Sequence, residues 1–268
     1  GLTPYLADVD EATGALTPAI ARRAMERAPR LISAVVPVLP FGHAGGVADW
    51  TQFEKDTGVP VVVDGAAAFD AVRDATTPIV VSMHATKALG IGEGGFLATT
   101  DQALADHVRA LTVFGFTGTR DSQMPAFNAK LSEYAGAVGL AALDFWPETP
   151  GRLIRASHLL RASFLRMPEV EFQHGWGADW TSTTCIVNVP DGQADIVERR
   201  LAAGGIETRR WWERGLHRQP AFRNSLYADD LSATNKLAAR VIGLPFSVDL
   251  TFDDAAVITQ SMAEALGH

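Results

Sequence analysis

Apolar residues fall in short unbroken runs along the first half of the chain, with helical spacing between the runs. Ala34-Val35-Val36-Pro37-Val38-Leu39 is one run, closed by Pro40-Phe41-Gly42. Pro60-Val61-Val62-Val63, ended by Asp64-Gly65, is a second; Pro78-Ile79-Val80-Val81-Ser82 and Phe96-Leu97-Ala98-Thr99 are the next two. Runs of this length without polar alternation predict strands buried on both faces. Between them, Val47 to Asp56 has helical spacing with Trp50 and Phe53 on one side, and a helix from about Asp101 to Leu111 follows the fourth run. Thr17 to Ala28 reads as a surface helix. Strand–helix alternation of this kind predicts an α/β layer architecture.

The second half has a different rhythm. Ser132 to Phe145 is a long Ala-rich helix, and another runs to about Arg166 after Pro147 and Pro150. A strand near Thr184 to Val189, a helix from Gln193 to Ala203 and a Gly204-Gly205 stop follow. Thr251-Phe252-Asp253-Asp254 fits the looser form of a capping box opening a last helix. The proline-punctuated turn near residue 146 is the expected boundary between a larger domain, 1–145, and a smaller one, 146–268. There are no internal repeats and no low-complexity segments.

Composition sharpens this picture by exclusion. The chain has 268 residues, 47% hydrophobic and 20% charged, which supports a packed core and argues against disorder. Its net charge of −8, with no Lys/Arg cluster longer than a pair, makes nucleic acid a poor partner. Cys185 is the one cysteine, so no disulfide can form within the chain. Lying in the run Cys185-Ile186-Val187, it reads as a buried structural thiol, and a reducing, cytoplasmic compartment is expected. No apolar run approaches the roughly 20 residues that span a bilayer, and Gly1-Leu2-Thr3-Pro4 does not resemble a signal peptide.

The candidate chemistry begins with the lysines, of which there are four: Lys55, Lys87, Lys130 and Lys236. Lys55 and Lys236 have polar neighbours on predicted helices, and Lys130 lies just before a helix start. Lys87 follows the strand ending at Ser82 and precedes Gly90-Ile91-Gly92-Glu93-Gly94-Gly95. A lysine at a buried strand exit beside glycine-rich backbone can be a desolvated amine that forms a Schiff base, or an ordinary loop lysine. Asp64 terminates its strand and is followed by Gly65-Ala66-Ala67-Ala68, which leaves room for a planar ring; it can equally cap the next helix. The glycine run formally satisfies G-x-G-x-x-G. A dinucleotide fingerprint should open a helix, however, and these glycines lead into the run beginning at Phe96. A flexible turn that lets backbone approach a ligand is the better reading. Trp211-Trp212 could line an interface or a substrate wall, or pack internally; Glu198-Arg199-Arg200 reads as a solvated helix face.

Ser82-Met83-His84-Ala85-Thr86-Lys87 with Gly92-Glu93-Gly94-Gly95 resembles the cofactor-lysine motif of the DegT–StrS sugar aminotransferases. Val63-Asp64-Gly65-Ala66-Ala67-Ala68-Phe69 resembles the same family's acidic motif, in matching order and spacing. Val35 to Gly42, Asn128-Ala129-Lys130-Leu131-Ser132-Glu133, Gly205-Ile206-Glu207-Thr208-Arg209 and Leu216-His217 are supporting likenesses, so that the resemblance runs almost from end to end. It implies a type I-like pyridoxal-phosphate transferase fold, with a mostly parallel central sheet flanked by helices and a smaller C-terminal α/β domain. It also implies pyridoxal 5′-phosphate as cofactor, with pyridoxamine 5′-phosphate as its intermediate form. By the same resemblance, Lys87 binds the cofactor as a Schiff base and shuttles the proton, Asp64 pairs with the pyridinium, and Ser82 donates to the cofactor phosphate. Asn128 reaches the phosphate of a neighbouring subunit, which implies a homodimer with shared active sites. His84 is a candidate to face substrate, with a packing or loop role as the alternative, and His217 is a lesser candidate for the same part. Ala67 stands where many members carry Gln beside the ring, a subtype difference. A dehydratase branch has histidine in place of the lysine, so Lys87 implies transamination: glutamate loads the cofactor, and a nucleotide-linked keto sugar takes the amine. No metal ligand is expected.

Members of that family carry a further segment before the point matching Gly1, with a phosphate loop at a helix N-terminus and an aromatic that stacks on the ring. Nothing in residues 1–30 has that character. The expectation is a fragment of an active enzyme with weakened cofactor affinity; the alternative is a complete, non-catalytic homologue with a scaffold or regulatory role.

Overall fold

The computed structural model describes residues 1–43, 45–73 and 75–268. It begins with a short strand β1 (Tyr5–Leu6), helix α1 (Pro18–Arg27) and helix α2 (Val47–Thr57). Thr17 starts α1 by accepting the Ile20 N–H on its hydroxyl, with Pro18 at the first helical position, where its lack of an N–H costs nothing. Gly58, in the left-handed region, closes α2. Trp50 and Phe53 fall on the inner face of α2, where both are almost wholly buried.

Strands β2 (Val63–Asp64), β3 (Ile79–Ser82) and β4 (Gly95–Ala98) form the first sheet. β2 and β3 are parallel, while β3 and β4 are antiparallel, with Ser82 opposite Gly95. The apolar run from Val35 extends the sheet on its far edge through parallel bridges Val35 to Val61 and Val38 to Asp64. Val61, Val63, Ile79 and Val81 are buried with Trp50 and Phe53 in one core, as runs without alternation require. Helix α3 (Gln102–Thr112) is capped by Asp101, and α4 (Glu133–Phe145) by Ser132.

After α4 come α5 (Thr149–Ser163), β5 (Glu171–Phe172), β6 (Cys185–Asn188), α6 (Ala194–Ala203), β7 (Leu226–Tyr227), α7 (Ser232–Arg240), β8 (Val241–Leu244) and α8 (Phe252–Leu266). β5, β6 and β8 make an antiparallel sheet in that order, and α6 and α8 pack on it over Val187, Val197, Leu201, Ile242, Ile258 and Met262. Thr251 and Asp254 form the capping box of α8, each side chain accepting the other's backbone N–H. Cys185 is buried in this core, and burial pushes its thiol far up, so it is inert as a nucleophile.

Helix α7 and strands β1, β5, β7 and β8 are absent from the sequence expectations. α7 has no cap of its own: Leu231, at its start, is in the left-handed region and gives no side-chain bond. The carboxylate of Asp8 serves instead, accepting the N–H groups of Ala233 and Thr234 at 2.9 Å each and the Thr234 hydroxyl at 2.8 Å. The first residues thereby pack on the C-terminal half, where β1 also pairs in parallel with β7. Among the described residues no helix is long and apolar enough to cross a membrane.

Candidate active site

The C-terminal ends of β2 and β3 lie side by side, the position where parallel α/β sheets place ligands. Asp64 ends β2 opposite Val80, and Ser82 ends β3. From Ser82 the chain makes a tight excursion and returns as β4. Met83 N–H donates to the Gly94 carbonyl at 2.9 Å, Ala85 N–H to Gly92 at 2.7 Å, and Ile91 N–H to Met83 at 2.9 Å. The glycines thus shape a hairpin loop and lead into a strand, which removes the dinucleotide reading. Met83, Leu89 and Ile91 anchor the loop against Ala135 of α4.

Lys87 sits on the outward turn of this loop, its N–H bonded to the His84 carbonyl at 2.9 Å. It is half-buried, whereas Lys55, Lys130 and Lys236 are exposed. Lys236 is paired with Glu11 at 3.0 Å, and Lys130 lies over the Phe114 ring at 4.7 Å. Among the described residues the Lys87 amine has no hydrogen-bond or ion-pair partner. Burying part of such a group without a partner is costly, so an uncommitted amine at this edge is a candidate for ligand binding.

The other predicted residues divide into two groups. Asp64, Ala67, Ser82 and His84 share this edge with Lys87. One Asp64 oxygen accepts the Ala66 N–H at 3.0 Å, and the other has no partner among the described residues. The Asp is therefore both a turn former and a carboxylate with spare acceptor capacity. Ser82 Oγ accepts the His84 N–H at 3.2 Å, which leaves its own O–H to donate outward. His84 Nδ1 lies 2.9 Å from the Thr86 hydroxyl, and its Nε2 3.6 Å from Glu93. The Ala67 carbonyl lies against Gly42, whose φ is +101°; a Cβ there would sit 2.8 Å from that oxygen and 3.1 Å from Ser182 Cβ, so the close approach requires glycine.

Asn128 and His217 lie apart from this group. Asn128 is exposed, between α3 and α4, with its backbone bridging Val113. His217 belongs to the C-terminal half, 6.0 Å from the Tyr227 ring and accepting from Arg218 Nε at 3.2 Å. Trp212 packs near Phe41 and donates to the Thr234 carbonyl, while Trp211 is largely exposed.

Sequence reasoning passed over the segment before β6, which leans onto the site from the C-terminal half. Thr181 Oγ1 donates to Asp70 at 3.1 Å, and Thr183 Oγ1 to the Thr86 carbonyl at 2.7 Å. His43 meets the same segment, edge-on to Trp180 at 5.8 Å; burial and then the nearby His174 push its pKa below the usual histidine value. Contacts between residues so distant in sequence leave no local pattern.

The DegT/DnrJ/EryC1/StrS aminotransferase family matches residues 1–263. Protein Rv3402c of Mycobacterium tuberculosis is 28% identical, over 99% of this chain and 67% of its own length. The solved structure of DesI, determined in the presence of its TDP-sugar product, superposes with a TM-score of 0.85 at 31% identity, over 100% of this chain and 70% of that one. A structure from Bacillus cereus assigned as a PLP-dependent aminotransferase reaches a TM-score of 0.89 at 28% identity, covering 98% of this chain and 74% of that one. The chain belongs to the DegT/DnrJ/EryC1/StrS aminotransferases, enzymes that depend on pyridoxal phosphate and share its type I-like fold.

Proposed function

We propose that this chain moves an amino group, with glutamate as donor, to the keto group of a nucleotide-linked sugar. The observation that carries the reading is Lys87: a half-buried amine without a partner among the described residues, on a glycine-rich loop at the strand ends that also present Asp64 and Ser82. The likeness to DesI, solved with a TDP-sugar, supports a nucleotide sugar as acceptor. The residues present suit the cofactor. Only small residues follow Asp64, in Gly65-Ala66-Ala67-Ala68, and one Asp64 oxygen, without a partner among the described residues, can hold a proton on a ring nitrogen. When bound, pyridoxal phosphate supplies an electron sink for the carbon that loses or gains the proton. Lys87 both anchors the cofactor and carries that proton. Ser82 donates its hydroxyl to the phosphate, Ala67 lines the ring, and His84 faces substrate; His217, apart from them on the C-terminal half, is read as a substrate contact from that side.

We further read residues 1–145 as the cofactor-binding domain and 146–268 as the smaller domain, with Asn128 offered to the phosphate of a partner subunit in a homodimer. The buried lone thiol of Cys185 suits a reducing compartment, and we place the protein in the cytoplasm. The direct test is an assay with glutamate and a panel of nucleotide-linked keto sugars, measuring 2-oxoglutarate release. Turnover with at least one such sugar, abolished by Lys87→Ala, is expected. Turnover confined to free amino acids and 2-oxo acids would refute the sugar reading.

A further inference from the structure

The segment from Gln173 to Thr184 clasps the strand ends that carry the site. Gln173 is buried, and its amide donates to the Pro40 carbonyl at 3.3 Å and to the Thr13 carbonyl at 3.4 Å. Ser182 is buried against Gly42, whose lack of a Cβ permits the contact. Thr181 holds Asp70, just beyond the Asp64 turn, and Thr183 holds the carbonyl of Thr86. That last bond is the shortest of the clasp and falls on the peptide group joining Thr86 to Lys87. Thr86 also meets His84, through its hydroxyl at 2.9 Å and its N–H at 3.3 Å, and the His84 N–H rests on Ser82. A connected set of hydrogen bonds therefore runs from Thr183 through Thr86 and His84 to Ser82, around the base of Lys87.

We propose that Thr183 is a positioning residue for Lys87: its hydroxyl fixes the peptide preceding the lysine, so that the C-terminal half sets the direction of the amine. The proposal rests on the reading of Lys87 as the cofactor lysine. Among the described residues the loop's other ties are short-range backbone bonds between residues 83 and 94, the His84–Glu93 pair within it, and its apolar anchor on α4, Phe69 and Phe96. These hold its shape but do not fix the Thr86–Lys87 peptide from outside the loop. A hydroxyl donor at residue 183 is what the geometry needs, so serine can replace threonine, whereas isosteric valine cannot.

The test compares wild type with Thr183→Val, Thr183→Ser and Lys87→Ala in the full chain. Hydrogen–deuterium exchange of cofactor-free protein, read on peptides spanning residues 83–91, is expected to quicken about fivefold in Thr183→Val, the loss of one ordinary hydrogen bond. It should return to the wild-type rate in Thr183→Ser, with the core strand β6 unchanged in both. Pyridoxal phosphate is then added and the pH profile of the lysine-bound visible band recorded. A displaced titration midpoint is expected for the valine variant and the wild-type midpoint for the serine variant. Unchanged exchange, or valine and wild type titrating alike, would overturn the role of Thr183. A visible band retained in Lys87→Ala would instead overturn the reading of the lysine, a failure separate from that of the hydrogen bond.

Discussion

At the scale of single residues, partners decide which groups are free to act. Three lysines are exposed, and Lys87 is half-buried with an amine that has no partner among the described residues. Asp8 shows the opposite case, a carboxylate fully engaged. Burial alone would raise its pKa, but the hydrogen bonds from Thr234 backbone and hydroxyl, with those from Ala233 and Val9, outweigh burial and hold it below 3.8. A folded-state pKa below the unfolded one means that the stabilisation is fully present above about 3.8 and is lost as pH falls through the folded value. Urea unfolding should therefore show Asp8→Ala less stable than wild type at neutral pH. The gap should narrow as the medium is acidified below 3.8. A gap that stays constant with pH would refute the role of the ionised carboxylate. Asp64 and Ser82 stand in the sequence at the ends of apolar runs, where strands stop, and Lys87 follows within the glycine-rich loop; their proposed roles come from the family resemblance. Thr183 was not legible in the sequence, since its hydrogen bond depends on how the two halves pack.

At the scale of elements, local signals succeeded where the chain closes its own bonds. The Thr251–Asp254 box and the Ser132 and Asp101 caps stand in the sequence where their helices begin. Thr17 does the same for α1, accepting the Ile20 N–H at 3.3 Å. Thr17→Ala should cost about 1 kcal/mol in the free energy of unfolding by denaturant titration; a loss indistinguishable from zero would mean that packing of Ala21 and Ala24 alone sets that terminus. Helix α7 escaped sequence reading for a physical reason: its cap is Asp8, brought from the other end of the chain. Strand β8 follows α7 directly, with no turn residues to mark the change of period.

At the scale of the whole molecule, the two largest apolar cores among the described residues lie one under the first sheet and the other between the second sheet and helices α6 and α8. Strand β1 and Asp8 join the N-terminal residues to the second, so the sequence order of the two halves is not their packing order. Phe127, Tyr134, Leu140 and Phe145, on and just before α4, are each largely exposed, with Tyr134 at 80%. Exposed large apolar side chains in one stretch suit association, which accords with the proposed placing of Asn128 at a subunit boundary. Sedimentation velocity should show a dimer that Tyr134→Lys weakens; a monomer at all concentrations would contradict the shared site.

The central claim is that Lys87 holds the cofactor. The full chain can be incubated with pyridoxal phosphate, reduced with borohydride and digested, and the modified lysine located by mass spectrometry. The account predicts the added mass on the peptide containing Lys87, and its loss in Lys87→Ala. Modification confined to Lys55, Lys130 or Lys236, or spread evenly over all four lysines, would contradict it.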